Sequence, residues 1–124
     1  MRAFLNSDAI NTPIKSVIEN FHSDIIREVV TSVAKNRIVI IGMKYNGSVY
    51  QARKALEKES IVFTYLEYGN YTSQWRRRLA LKMWSGWPTF PMVFVDQILI
   101  GGKKDLFALL RENPKLSLEL DTTN

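Results

Sequence analysis

Three polar side chains, Tyr45, Asn46 and Ser48, lie between a predicted strand and a predicted helix, where hydrogen-bonding groups can act on a bound reactant. Amide and hydroxyl groups at a helix N-terminus can stabilise a thiolate and so activate it for transfer. The chain cannot supply that thiolate itself, because it contains no cysteine. Asn46-Gly47 is also a common turn dipeptide, so the simpler interpretation of this segment is a turn.

A second candidate surface combines positive charge with aromatic rings. It consists of Trp75, Arg76, Arg77, Arg78, Lys82 and Trp84. Cations that bind phosphates, together with rings that stack on bases, are typical of single-strand nucleic-acid binding. A run of arginines on a helix is more often a solvated face, and only composition supports the nucleic-acid hypothesis.

The segment Gly101-Gly102 turns the chain into a last predicted helix, which opens with Lys104 and Asp105. Lys104 brings a backbone N–H and a positive charge to the helix N-terminus, where an anionic group is stabilised. Asp105 has a structural alternative, because a carboxylate at this position can cap the helix. Disulfides and thiolate metal sites are excluded by the lack of cysteine, and we expect no metal site.

The composition is that of one globular domain. The chain has 124 residues, of which 46% are hydrophobic and 23% charged. No apolar run approaches the ~20 residues needed to span a bilayer, and the N-terminus has no secretory h-region. We therefore expect no membrane association and a cytoplasmic location. The formal charge of +5 favours an anionic partner without identifying it.

The N-terminal third predicts one long amphipathic helix. Thr12 can cap it and Pro13 suits its first position, where the missing N–H costs nothing. Apolar residues then recur at helical spacing to about Ala34. They are Ile14, Val17, Ile18, Phe21, Ile25, Val29 and Val33.

The remaining chain alternates strands and helices. We predict strands at residues 38–41, 61–66, 92–95 and 98–100, and helices at residues 49–58, 75–84 and 104–111. Thr72 or Ser73 can cap the middle of these helices. The helix between the first two strands implies a right-handed β-α-β unit, and the last two strands form a hairpin. The sequence therefore predicts an α/β domain with a four-stranded mixed sheet flanked by helices.

Residues 37–110 resemble the glutaredoxin family. The segment Trp87-Pro88-Thr89-Phe90-Pro91 is closest to the W-P-T-F-P of monothiol glutaredoxins, and Ile100-Gly101-Gly102 and Asp105-Leu106 also match the family. The resemblance implies a thioredoxin-like fold. On this basis residues 1–36 form an N-terminal extension and first helix, residues 37–115 the core and residues 116–124 a C-terminal tail of one domain.

The family's reactive segment, K-P-Y-C-P-Y-C, corresponds to residues 43–49. Asn46 stands at the position of the nucleophilic cysteine and Val49 at that of the resolving cysteine, while Met43 replaces the family lysine and Lys44 follows it. Asparagine is no nucleophile at neutral pH and no thiolate ligand for iron. We expect no catalytic residue of the family type, no thiol–disulfide exchange and no iron–sulfur cluster; other enzyme activity stays open.

The resemblance also assigns residues to glutathione, the candidate cofactor. Phe90 and the family's cis-proline, Pro91, would offer backbone groups to its cysteinyl unit. Arg78 would reach its glycine carboxylate, and Asp105 would face its γ-glutamyl amine. The complete candidate set is Lys44, Tyr45, Asn46, Arg78, Phe90, Pro91, Gly102, Lys104 and Asp105.

Three functions follow as hypotheses. The first is a redox-silent module that binds glutathione, a peptide carboxylate or a protein partner in the remaining groove, and it requires only residues that are present. The second is a glutathione-dependent, transferase-like enzyme in which Tyr45, Asn46 or Ser48 stabilises a bound thiolate. The third is nucleic-acid contact through Arg76, Arg77 and Arg78. The sequence does not predict the oligomeric state.

Overall fold

The structure is a computed structural model that describes residues 3–116. A single mixed sheet lies at the centre of this part of the chain. Its strands are β1 (Ile38–Gly42), β2 (Thr64–Glu67), β3 (Met92–Val95) and β4 (Ile98–Gly101). They lie in the order β2-β1-β3-β4, with β1 parallel to β2 and the β1–β3 and β3–β4 pairs antiparallel. The predicted four-stranded mixed sheet is confirmed.

Five α-helices lie within residues 3–116, and all but the first contribute buried side chains to the two faces of the sheet. They are α1 (Thr12–Asn20), α2 (Ser23–Lys35), α3 (Gly47–Lys58), α4 (Trp75–Ser85) and α5 (Lys103–Glu112), and a short 3-10 helix, Ser7–Ala9, precedes them. Alternate side chains of the central strands point to opposite faces, which produces two core clusters. Val39 and Ile41 pack with α2 and α4, whereas Ile38 and Ile40 pack with α3 and α5.

The first helix differs from the prediction. The expected helix of residues 12–34 is broken at His22, which adopts a left-handed conformation with φ of 47°. The two parts behave differently, because α2 buries Ile25, Val29 and Val33 while α1 buries no side chain. The apolar stripe of residues 14–18 is therefore exposed, with Val17 65% accessible.

Element boundaries also shift where tertiary pairing decides them. Strand β2 begins at Thr64 because its pairing with β1 starts at Val39, and the preceding Val62 is 90% exposed.

Two helix caps also differ from the prediction. Neither Thr72 nor Ser73 caps α4, whose N-cap is Gln74 in a left-handed conformation. Likewise, the N-cap of α1 is Asn11 instead of Thr12.

The chain after α5 contributes to the core. Leu116, which the sequence analysis placed in the C-terminal tail, is fully buried with Leu56 and Leu106. The rest of that predicted tail, residues 117–124, lies outside the described residues. Within residues 3–116 no helix is long and apolar enough to cross a membrane.

Candidate functional site

A cavity of about 640 Å³ opens at one end of the sheet, where three backbone segments converge. These segments are the turn before α3, the loop before β3 and the N-terminus of α5. We call this cavity the groove. Its lining residues are Met43, Asn46, Ser48, Tyr71, Lys82, Trp87, Pro88, Thr89, Phe90, Pro91, Gly102, Lys103, Lys104 and Asp105.

Asn46 occupies the centre of the first segment as the N-cap of α3. Its side-chain Oδ1 accepts a hydrogen bond from the Val49 N–H at 2.9 Å, which satisfies one of the free donors of the first helical turn. Its Nδ2 donates to the Tyr71 hydroxyl at 3.3 Å. The two positions at which the glutaredoxin resemblance places cysteines are thus joined by a capping hydrogen bond, and Val49 is buried.

The second segment lines the groove with Phe90 and Pro91, and Phe90 is 7% exposed. The Phe90–Pro91 peptide bond is cis. Within residues 3–116 the backbone N–H and C=O of Phe90 make no hydrogen bond to another residue. Paired backbone groups of this kind are what an extended peptide uses when it lies alongside a strand edge.

The third segment is the N-terminus of α5, where Asp105 forms a cap. Its carboxylate accepts from the Gly102 N–H at 2.9 Å. Gly101 stands beside it with φ of +120°, and a Cβ at that position would collide with the Asp105 carboxyl group. Asp105 therefore caps α5, which was the structural alternative predicted from the sequence. It also lines the groove.

Three lysines line the groove: Lys82 from α4, and Lys103 and Lys104 from the first turn of α5. The Lys103 Nζ donates a hydrogen bond to the Gln51 side chain at 2.8 Å, so Lys82 and Lys104 are the candidates for binding an anion. Lys104 is exposed in the first turn of α5, where its charge adds to the positive end of the helix dipole. Lys82 projects from α4, with its Nζ 5.6 Å from the centre of the Phe90 ring. Lys82 was predicted as a nucleic-acid contact and not as a groove residue.

Arg78 lies elsewhere, and the structure corrects its expected position. The side chain is 7% exposed, and its Nη1 donates to the carbonyl oxygens of Tyr68 at 2.9 Å and of Ser73 at 2.5 Å. Burial lowers the pKa of the guanidinium. Arg78 therefore neither lines the groove nor lies on a solvated face. Its two hydrogen bonds connect α4 to the loop between β2 and α4.

Lys44 and Tyr45 also lie outside the groove. Tyr45 adopts a left-handed conformation, with φ of 61°, which turns its side chain to an adjoining cavity that Lys44 also lines. Of the nine candidates, the structure brings six together around the groove: Asn46, Phe90, Pro91, Gly102, Lys104 and Asp105.

Tyr71 and Trp87 are further groove residues. The Tyr71 hydroxyl is held near the start of α3 by Asn46. Trp87 packs against Gly102, and its buried indole N–H has no acceptor among the described residues. Lys82 was within reach of sequence reasoning, because it follows Arg78 by one helical turn. Tyr71 carried no such signal, since it lies in a loop.

This arrangement can bind an anionic peptide-like molecule but provides no thiol chemistry of its own. The lining of the groove includes cations from α4 and α5, the unpaired Phe90 backbone, and the hydroxyl groups of Ser48 and Tyr71. The described residues hold no group of three His, Cys, Asp or Glu side chains that could bind a metal ion.

Comparison with known proteins places this geometry in a family. No family model matches the sequence. A "Glutaredoxin-like protein" of Dictyostelium discoideum is 48% identical over 99 residues, which are 80% of each chain. This chain belongs to the glutaredoxin family. Glutaredoxin 1 of Rickettsia prowazekii is 31% identical over 62 residues, which cover 50% of this chain and 64% of the relative.

Solved glutaredoxins have the same fold. A buckwheat glutaredoxin–glutathione complex superposes with a TM-score of 0.67 at 21% identity, covering 79% of this chain and 88% of the other. Oxidised glutaredoxin 2 from Chlamydomonas reinhardtii gives a TM-score of 0.61 at 25% identity, with coverages of 76% and 88%. The thioredoxin-like fold expected from the resemblance is confirmed. This glutaredoxin nevertheless lacks cysteine altogether.

Proposed function

We propose that this glutaredoxin-like protein binds glutathione without forming a covalent bond to it, and that it is redox-silent. The observation that carries the proposal is the unpaired Phe90 backbone in a groove of about 640 Å³ that Lys82 and Lys104 also line. Glutathione is an extended peptide with a carboxylate at each end. One structural neighbour, the buckwheat glutaredoxin, is a complex with glutathione, which supports the same ligand class.

In this arrangement each carboxylate of glutathione would meet one lysine. Lys104 and the backbone N–H groups of the first turn of α5 would hold the γ-glutamyl carboxylate, and Asp105 would face the neighbouring amine. Lys82 would take the role that the sequence analysis gave to Arg78, next to the glycine carboxylate. The central cysteinyl unit would pair with the Phe90 backbone.

Titration calorimetry with reduced glutathione tests this binding. We expect a weak complex whose affinity falls with added salt, because the contacts are charged and no covalent bond forms. Lys104→Gln should weaken binding about fivefold, as expected for an exposed charge pair of up to ~1 kcal/mol.

The matched control is Lys58→Gln, which removes the same charge from the last turn of α3, away from the groove. It should leave the affinity unchanged. If wild-type protein shows no heat change with glutathione but responds to a peptide with a free C-terminal carboxylate, a peptide or protein partner becomes the better assignment.

Redox silence has its own test, the reduction of a glutathione mixed disulfide in a coupled assay. We expect no turnover above the uncatalysed rate, because no side chain in this chain can form the protein–glutathione disulfide. Catalysis that increases in proportion to the concentration of purified protein would contradict the proposal.

The transferase-like alternative keeps Asn46 and Ser48, which line the groove, but not Tyr45. Tyr45 points away from the groove, whereas the Tyr71 hydroxyl lies at its Asn46 end and Ser48 lines it. A hydroxyl donor at that place could stabilise a glutathione thiolate. Tyr71→Phe would then reduce glutathione transfer to an electrophile without weakening glutathione binding.

The nucleic-acid hypothesis has less support. Arg78 is buried, Arg77 forms an ion pair with Asp24 at 3.3 Å, and the guanidinium of Arg76 lies 5.0 Å from the centre of the Trp75 ring. The three arginines therefore do not present one continuous cationic face.

The cytoplasmic location stays a prediction from the sequence.

A further inference from the structure

A second cavity of about 390 Å³ adjoins the groove on the Tyr45 side of the turn before α3. We call it the tyrosine pocket. The residues that characterise it are Lys44, Tyr45, Tyr50, Arg53, Tyr65 and Glu67. The proposed binding of glutathione uses none of these side chains, so the tyrosine pocket needs a separate explanation.

The Arg53 side chain packs against an aromatic ring in this pocket. Its guanidinium lies over the Tyr65 ring, 4.0 Å from the ring centre, and its Nε is buried without a hydrogen-bond acceptor. Stacking on an aromatic ring fixes the plane of a guanidinium, so little rotational freedom remains to be lost when an anion binds. Arg53 is therefore positioned in advance to receive a planar or tetrahedral anion.

The pocket also has unbalanced positive charge. Across residues 3–116, neither Lys44 nor Arg53 forms an ion pair with a carboxylate. Glu67, the acidic residue in the lining, accepts a hydrogen bond from the Tyr65 hydroxyl at 3.0 Å. The lining thus carries two cations against one carboxylate. Lys44 and Arg53 can each contact an oxygen of a phosphate monoester, whose two negative charges match two cations better than the single charge of a carboxylate does.

Exposed aromatic rings complete the pocket. Tyr45 is 84% and Tyr50 58% accessible, although both line a concave surface. Exposed tyrosines beside cations provide faces on which a heterocyclic base can stack. The Lys54 Nζ lies 5.6 Å from the centre of the Tyr50 ring, which adds positive charge at the entrance.

We propose that the tyrosine pocket binds a nucleoside monophosphate. The phosphate would lie between Lys44 and Arg53, and the base would stack on Tyr45 or Tyr50. The tyrosine pocket and the groove share one wall, the turn that contains Asn46. The two ligands would therefore be neighbours with separate contacts.

The test is an NMR and calorimetric titration of the whole chain with adenosine 5′-monophosphate, adenosine and inorganic phosphate. We expect adenosine 5′-monophosphate to bind about tenfold more tightly than either part, because it uses both the cations and the rings. Its amide shifts should include Tyr50 and Arg53. Equal binding of adenosine and its monophosphate would overturn the proposal, as would no binding at all.

Variants separate this pocket from the groove. Arg53→Gln should weaken adenosine 5′-monophosphate binding by about tenfold or more, and Arg53→Lys by less, since it keeps the charge but loses the planar fork. Lys44→Gln, at an exposed position, gives the same test should Arg53→Gln not fold. Lys58→Gln is the matched control and should change nothing.

The outcome also distinguishes failure here from failure of glutathione binding. Lys104→Gln should weaken the binding of glutathione and leave the binding of adenosine 5′-monophosphate unchanged. Arg53→Gln should have the opposite effects. If the nucleotide is lost with Lys104→Gln and retained with Arg53→Gln, it occupies the groove and the tyrosine pocket is not its site.

Discussion

Asn46→Cys is expected to become glutathionylated when the protein is incubated with oxidised glutathione. The introduced thiol would lie at the N-cap of α3, where the helix dipole lowers its pKa below the usual value of about 8.5. The Tyr71 hydroxyl, which now accepts from Asn46, would be free to donate to the thiolate. Intact-protein mass spectrometry would show one added glutathionyl group, against none for the wild type.

This gain of reactivity should have a cost in stability. The variant loses the hydrogen bond from the Val49 N–H to Asn46, and a lost N-cap costs about 1 kcal/mol. Val49→Cys is the matched control, because position 49 is 2% exposed and its thiol should stay unmodified. An Asn46→Cys protein that folds but is as inert as Val49→Cys would show that the groove does not receive glutathione in the proposed orientation.

Arg78→Met should destabilise the protein by about 3 kcal/mol, in the range of hydrogen bonds that involve a charged group and leave buried acceptors behind. Methionine fills a similar volume but leaves the Tyr68 and Ser73 carbonyl oxygens without the donor they now share. For a domain of this size the melting temperature should fall by about 10–20 °C. Thermal and urea unfolding followed by circular dichroism measures the change.

Arg76→Met is the control for this variant, since Arg76 is exposed on the same helix. Surface substitutions of that kind usually stay within about 0.5 kcal/mol. Equal melting temperatures for the two variants would mean that the buried hydrogen bonds of Arg78 contribute nothing to folding, and the expected ligand role of Arg78 would have to be reconsidered.

The sheet was predictable because its signals are local. The β-branched run of residues 38–41 and the two-residue spacing before β4 are visible without tertiary information. The break at His22 was not, because Phe21 and Ile25 keep helical spacing across it and periodicity does not register one left-handed residue. The late start of β2 depends on its register with β1, which only the folded structure defines.

The groove was predictable to the extent that backbone motifs form it. Pro91, Gly102 and Asp105 lie where the motifs imply, because a loop and a helix N-terminus place them. The positions of the long cationic side chains were harder to predict, because burial in the folded structure decides where those side chains point. Arg78 turned inward to satisfy carbonyl oxygens of a loop, and Lys82, one turn later, faces the groove in its place.

We expect the left-handed junction at His22 to separate two units that unfold independently. Helix α1 has nine residues, too few to be stable alone in water, and it buries none of its side chains. Phe21, which directly follows α1, is partly buried against the core that contains α2. α1 can therefore open and close by itself at a small free energy while the sheet stays intact, so that the global transition reports on the core and not on this helix.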